Sequence, residues 1–279
     1  MSANTCRSDG AGLVPPHARA RGEIRAEFRA LGARTEMARV YEAGGLRLRC
    51  PNVARGCEGV IVNTGGGVAG GDSATFDIIA GEASDVTMTT QSAEKIYRAQ
   101  DEPAEISVAL RIAAGARFEW LPQETILFDG ARLTRRLDID LDASASLTLL
   151  EAVTFGRMAM GELRVEGSFR DRWRIRRDRR LLFAEDINVD GDVTGLLDRP
   201  AIGRKARATA TFVHIAPDAE ASIDALRAAL EPTACEWGAS AWNGMAVARM
   251  LSPSPEILRA AIVHLLRATR GREAPRVWQ

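Results

Sequence analysis

Histidine is scarce in this chain of 279 residues: His17, His214 and His264 are the only three, spread over its full length. That scarcity excludes a stable His-based metal centre built from a local motif, and no Ser/His/Asp set is legible by spacing. Cysteine is hardly richer. Cys6, Cys50, Cys57 and Cys235 are too scattered for a zinc pattern and in a reducing compartment need not pair, although Cys50 and Cys57 can be neighbours across a loop. Neither sign of charge is in excess, with 37 basic against 37 acidic residues, so nothing global draws the chain to nucleic acid or to an anionic membrane. No apolar run approaches the roughly 18 to 20 residues that span a bilayer, and Met1 to Pro16 lacks the apolar centre of a signal peptide. A cytoplasmic protein with protein partners is expected.

What is present suffices for a substantial core, since 46% of residues are hydrophobic. Residues 1–20 are rich in Gly, Pro, Ala and Arg without periodicity and read as a flexible extension, leaving 21–279 as one β-rich domain. Inside it, Asn63 to Asp72 holds five glycines in ten positions, Gly65, Gly66, Gly67, Gly70 and Gly71. So few side chains add little to a core; the use of such a stretch is positive φ and close approach of its backbone to something else. Gly65, Gly67 and Gly70 fit GxGxxG, and Gly59 to Val62 reads as a strand before them. A dinucleotide site nevertheless needs a helix directly afterwards, whereas Ser73 to Ile79 alternates as a strand, and no Lys-Ser or Lys-Thr closes a phosphate loop. A backbone contact surface is the expectation, with a plain turn between strands as the alternative.

Strand patterns dominate. Ile24, Ala26 and Phe28 alternate with charged residues, and strands are expected over Met37 to Tyr41 and Leu46 to Cys50 across Gly44-Gly45. Three segments then repeat a strand, a small-residue turn and another strand, Phe76 to Ala83 leading to Val86 and Met88, Leu110 to Ala116 leading to Phe118 and Trp120, and Leu137 to Ser144 leading to Leu147 and Leu149, with turns recurring about every 30 residues, a spacing that marks stacked repeats. Further strands are expected at Glu162 to Phe169, Arg172 to Arg176, Leu181 to Asp186 and Thr209 to Ile215, and a hairpin at Asn243-Gly244. Helices are expected near 217–230 and 255–270, the second with Ser254 as N-cap and Pro255 in its first turn. The fold class is mostly β: an elongated layered scaffold, solenoid-like or sandwich-like, with two C-terminal helices.

Two further stretches mix large apolar groups with charge: Thr89 to Arg98, containing Lys-Ile-Tyr-Arg, and Trp120 to Leu133, containing Trp-Leu-Pro-Gln-Glu-Thr. Together with the glycine stretch and the terminal Pro275-Arg276-Val277-Trp278, they closely resemble the urease accessory protein family UreD, also called UreH. The resemblance runs in order from about residue 21 to the C-terminus. It departs at Gly65, where members often carry Ala or Pro.

The resemblance implies a non-catalytic chaperone that binds apo-urease and the UreF and UreG accessory proteins and helps pass nickel to the urease active site. It implies no tightly bound cofactor, only a transient nickel ion. Weak oxygen ligands suit such transit better than tight His or Cys sites. Candidates for a path are acids in apolar strand contexts, Glu151 and Glu185, with Asp72 at the close of the glycine stretch; the alternative for each is a carboxylate satisfied by structural partners. Lys95, Tyr97 and Arg98 are candidate protein contacts, since Tyr and Arg are favoured at interface hot spots, and Glu124 and Asp129 join them. Two other function classes stand beside the chaperone: a purely structural interaction module, and an enzyme using Glu124 and Asp129 as an acid–base pair, for which the motif supplies no nucleophile.

Overall fold

The computed structural model describes residues 19–279; Cys6, His17 and most of the expected N-terminal extension lie outside the described residues. The chain opens with β1 (Arg21–Leu31), β2 (Arg34–Ala43), β3 (Leu46–Arg49) and β4 (Cys57–Asn63). It continues through β5 (Ser73–Ala80), β6 (Asp85–Thr90), β7 (Glu94–Ile96), β8 (Ala104–Ile112), β9 (Arg117–Leu121) and β10 (Thr125–Leu127). Then come β11 (Arg132–Leu141), β12 (Ser146–Phe155), β13 (Glu166–Arg177), β14 (Arg180–Asp192), the short α1 (Val193–Asp198) and β15 (Ala208–Ile215). Helix α2 (Ile223–Leu230), the hairpin β16 (Glu236–Trp242) and β17 (Met245–Ser252), and α3 (Pro255–Arg270) complete it.

From β4 to β13 the chain passes back and forth between two sheets, and this winding makes the architecture a β-solenoid. One sheet has the order β14-β13-β11-β8-β5-β1-β2, the other β16-β17-β15-β12-β9-β6-β4-β3 with β7 and β10 beside β12. Neighbours β1, β5, β8, β11 and β13 run parallel, as do β4, β6, β9 and β12, because each return to a sheet lays a new rung on the previous one. Register keeps like on like: Ala26, Ile78, Leu110, Ile139 and Ile175 form one inward ladder in the first sheet, each of them buried. In the second, Gly59, Met88, Trp120, Leu149 and Val213 face them. Each fully buried Leu or Ile in such a ladder stabilises by about 1.5–3 kcal/mol relative to exposure.

The second sheet has a buried outer face as well. Leu150, Ala152, Ala210, Phe212, Ala248 and Met250 point away from the solenoid interior into a separate cluster with Leu226 and Leu230 of α2 and Leu258, Ile262 and Leu265 of α3. Ser254 caps α3, its hydroxyl accepting from the Ile257 amide at 3.3 Å, and Gly271 ends it in the left-handed conformation at φ 62°. Trp278, 2% exposed, seats the chain end in the same cluster and donates its indole N–H to the Leu121 carbonyl at 3.0 Å.

Some expectations shift. Residues 162–165 are not a strand: Glu162 turns back to accept from the Arg157 amide at 2.8 Å, and one continuous β13 replaces the two strands expected over 162–176. Helix α2 starts only at Ile223, after a 3-10 turn at Ala219–Ser222.

Candidate functional site

The glycines bring their backbone against the chain itself. Strand β4 ends at Asn63, whose side chain donates to the Gly67 carbonyl at 3.2 Å and to Glu94 at 3.1 Å while accepting from the Gly65 amide at 3.0 Å. Val68 then bridges β7: its amide donates to the Lys95 carbonyl at 2.8 Å, and the Tyr97 amide donates to the Val68 carbonyl at 2.9 Å. The Tyr97 hydroxyl donates to the Gly66 carbonyl at 2.9 Å. A Cβ at Gly67 would stand 2.3 Å from Cε2 of Tyr97, and one at Gly70 would stand 2.5 Å from Cβ of Ala99. Glycine is required here because the Lys-Ile-Tyr-Arg segment lies on top of it.

That segment and the second motif form one rim. Strand β10 lies between β7 and the end of β12 and runs parallel to both, pairing Thr125 with Glu94 and Val153, and Leu127 with Ile96 and Phe155. Lys95, Tyr97 and Arg98 are exposed on it. Tyr97 packs edge-on against Phe128 at 5.2 Å between ring centroids, and the Arg157 guanidinium lies 4.2 Å from the Phe128 centroid. Asp129 pairs with Arg98 and accepts from the Glu166 amide at 3.0 Å, while Glu124 pairs with Arg259 at 3.3 Å. Glu124 and Asp129 are thus each engaged by a different arginine, an arrangement of two structural ion pairs and not of an acid–base couple.

The solenoid interior holds charge. Glu151 on β12, Arg135 on β11 and Asp171 on β13 all occupy inward positions, with side chains 4%, 4% and 1% exposed. Arg135 donates from Nε to Asp171 at 3.0 Å and from Nη2 at 2.5 Å, reaches Glu151 with Nη1, and lies 3.4 Å from the Thr125 hydroxyl. The Trp120 indole N–H donates to Glu151 at 2.8 Å. One guanidinium therefore serves two carboxylates. Burial pushes the Glu151 carboxyl above its ordinary range, and although Arg135 opposes this, the neighbouring Asp171 adds to it.

Residues 20–279 match the model of the UreD urease accessory protein family. The chain belongs to the UreD family. It is 48% identical over 262 residues to urease accessory protein UreD of Beijerinckia indica, covering 93% of this chain and 97% of that one. It is 46% identical over 260 residues to the Xanthobacter autotrophicus UreD, covering 93% and 90%, and 46% identical over 261 residues to that of Rhodopseudomonas palustris strain HaA2, covering 93% of each.

Among the acids singled out in this UreD-family sequence, only Glu151 sits in the interior cluster. Glu185 on β14 also takes an inward register, beside Trp173, but it lies where the two sheets end and pairs there with Arg249 of β17. Asp72 accepts from the Ala20 amide at 2.7 Å and the Ala69 amide at 2.9 Å, as turn aspartates do. Arg135 and Asp171 were missed by sequence reasoning. So was Glu94, whose carboxyl burial pushes upward beneath the glycine rim, with the Asn63 amide opposing. The described residues hold no group of three or more His, Cys, Asp or Glu side chains able to retain a metal ion. On the far side of the second sheet, Glu119 meets Arg270 at 2.6 Å and Arg272 at 2.6 Å, fastening the chain end to β9.

Proposed function

We propose that this chain is a nickel-passing scaffold that binds apo-urease together with the UreF and UreG accessory proteins. As a UreD-family protein it acts in urease maturation as an accessory chaperone and is not an enzyme, and it associates with urease and with other accessory proteins. The observation that carries the nickel step is the excess of carboxylate over guanidinium at Glu151, Arg135 and Asp171. An arriving divalent cation competes with Arg135 for both carboxylates, and two oxygen donors hold nickel weakly enough to pass it on. The buried Trp173 indole N–H, two residues from Asp171 on the same inward face, has no hydrogen-bond partner among the described residues, which supports an interior that admits polar guests. The exposed Lys95, Tyr97 and Arg98, with Met158, Met160 and Leu163 exposed on the loop after β12, supply an amphipathic face for protein contact.

The test is co-expression of an affinity-tagged copy with the urease subunits and the accessory proteins, followed by metal analysis of the co-purifying urease. Glu151→Gln keeps the Arg135–Asp171 pair balanced, so the complex is expected intact with less nickel per urease. Unchanged nickel content in that variant would remove Glu151 from the path, and failure of the wild-type chain to co-purify would remove the scaffold itself.

A further inference from the structure

Three sulfur-bearing side chains from three separate segments line one surface cavity of this protein, away from the interior acids. Cys50 directly follows β3 and Cys57 opens β4, so the two stand at the ends of the loop from Pro51 to Gly56 and line the same cavity. The Cys50 Sγ lies 3.9 Å from the Met37 Sδ. All three residues are partly exposed and line one cavity of about 620 Å³, shared with Arg34 and Arg55.

Two features of the backbone hold this arrangement. The β1–β2 pairing slips between Glu27 and Phe28, so that Glu27 faces Arg39, Phe28 faces Met37, and Ala38 is left as a bulge. Bulges re-aim the side chains beside them, and this one borders the sulfur cluster. On the loop, Gly56 has φ 71°, and a Cβ there would stand 2.8 Å from the Asp85 carbonyl, so the approach to Cys57 is fixed by contact with β6.

We propose that Cys50, Cys57 and Met37 form a three-sulfur site for a soft monovalent cation, Cu(I). Two thiolates with a thioether are the donor set that selects Cu(I). Zinc sites are commonly completed by four Cys, His or carboxylate ligands, and a thioether is not among them. On binding, two S–Cu bonds form as two thiol protons pass to water, the thioether adds its lone pair, and no electron is transferred. The site then carries one net negative charge, beside a cavity lining in which Glu36 pairs with Arg29 and Arg55 with Asp85, leaving Arg34 as the arginine of that lining available to offset it.

The experiment is an anaerobic titration of the reduced full chain, carrying Cys6→Ser, with Cu(I) held by a chromogenic bidentate chelator. One equivalent is expected to leave the chelator and give the near-ultraviolet absorption of a copper thiolate. Cys50→Ser or Cys57→Ser should weaken binding by at least about 100-fold and Met37→Leu by about 10-fold, given that even outer partners of metal ligands are worth 10- to 100-fold. Thermal melts of each variant separate lost binding from lost folding, and Met37→Leu conserves volume. No copper uptake by the wild-type sulfur set, uptake undiminished in Cys50→Ser, or affinity unchanged in Met37→Leu would each overturn the site. A protein that isolates two protons lighter, and after reduction still takes up no copper, would identify the pair as a disulfide instead.

Discussion

Replacing Arg135 by Met should cost this protein more stability than any other change to a single charged residue of its interior. Methionine keeps the apolar stem and removes the only guanidinium between Glu151 and Asp171. Both hydrogen bonds described for the Asp171 carboxylate come from Arg135, and Glu151 would retain only the Trp120 indole. Two buried carboxylates would then lack a cation, and breaking a buried pair from one side costs about 3–5 kcal/mol. For a chain of this length, that corresponds to a fall in Tm of roughly 6–20 °C. The sign of the pH dependence follows. Burial already pushes the Glu151 carboxyl up, and without Arg135 to oppose it the folded state holds that proton more tightly than the unfolded state, so stability falls as pH rises above the ordinary carboxylate range and returns on acidification. Thermal melts of wild type and Arg135→Met at pH 7.5 and pH 5 should show a gap that narrows at the lower pH. Adding Glu151→Leu and Asp171→Leu to Arg135→Met should restore wild-type stability or exceed it, as apolar replacements of buried ion clusters do. A single variant within about 1 kcal/mol of wild type at pH 7.5, or a gap that ignores pH, would refute the reasoning.

The acid on the outer face behaves in the opposite sense. Burial opposes ionisation of Glu119, but the Arg270 hydrogen bond and the charges of Arg270 and Arg272 outweigh it and hold its carboxyl at about 2, below the ordinary 4.5. Its stabilisation is complete above pH 4.5 and lost as pH falls toward 2, so Glu119→Gln should cost about 3 kcal/mol at pH 7 in urea unfolding and flatten the acid limb of the stability curve. Gly67→Ala places a methyl 2.3 Å from the Tyr97 ring and 2.7 Å from the Lys95 carbonyl. It should destabilise by about 1–3 kcal/mol and speed amide exchange at Val68 and Tyr97, while Gly66→Ala, with nothing within 4 Å of the added carbon, meets only the backbone strain of φ 73° and should cost about 1 kcal/mol.

The repeated strand–turn–strand pattern was readable because parallel stacking puts the same residue type at the same place on each rung. Phe76, Val108, Leu137 and Trp173 are register partners, and all four are apolar. The sequence left solenoid and sandwich both open, since alternation within a strand does not say whether its neighbour runs parallel. Short β7 and β10 escaped notice because three residues carry too little alternation to read. Arg135 was hidden for a different reason. It stands in Arg135-Arg136, where one of two adjacent arginines must point inward, and only the phase set by Leu133, Leu137 and Ile139 says which. Asp171, in phase with Phe169, Trp173 and Ile175, carried the same signal. An ion on the apolar phase of a strand was the available clue, and extending the test applied at Glu151 to every strand would have found the triad. The glycine stretch illustrates the converse limit: its composition announced a close approach, but the partner lies about 30 residues away and is fixed only by three-dimensional pairing of Val68 with Ile96.

The way the chain end is seated bears on how the protein is made. The apolar outer face of the second sheet is roofed by α2, α3 and finally Trp278. Gln123 on the second motif donates to the Val277 carbonyl at 2.9 Å, and Arg272 reaches Asp85 at 3.2 Å. None of these contacts can exist until residues 272–278 have left the ribosome. At about 5–20 residues per second, rungs stacked early in synthesis wait many seconds with that face bare. Closure of this face therefore waits on residues 223–278, and the partly synthesised solenoid presents an apolar surface that its own later segments must reach before another chain does.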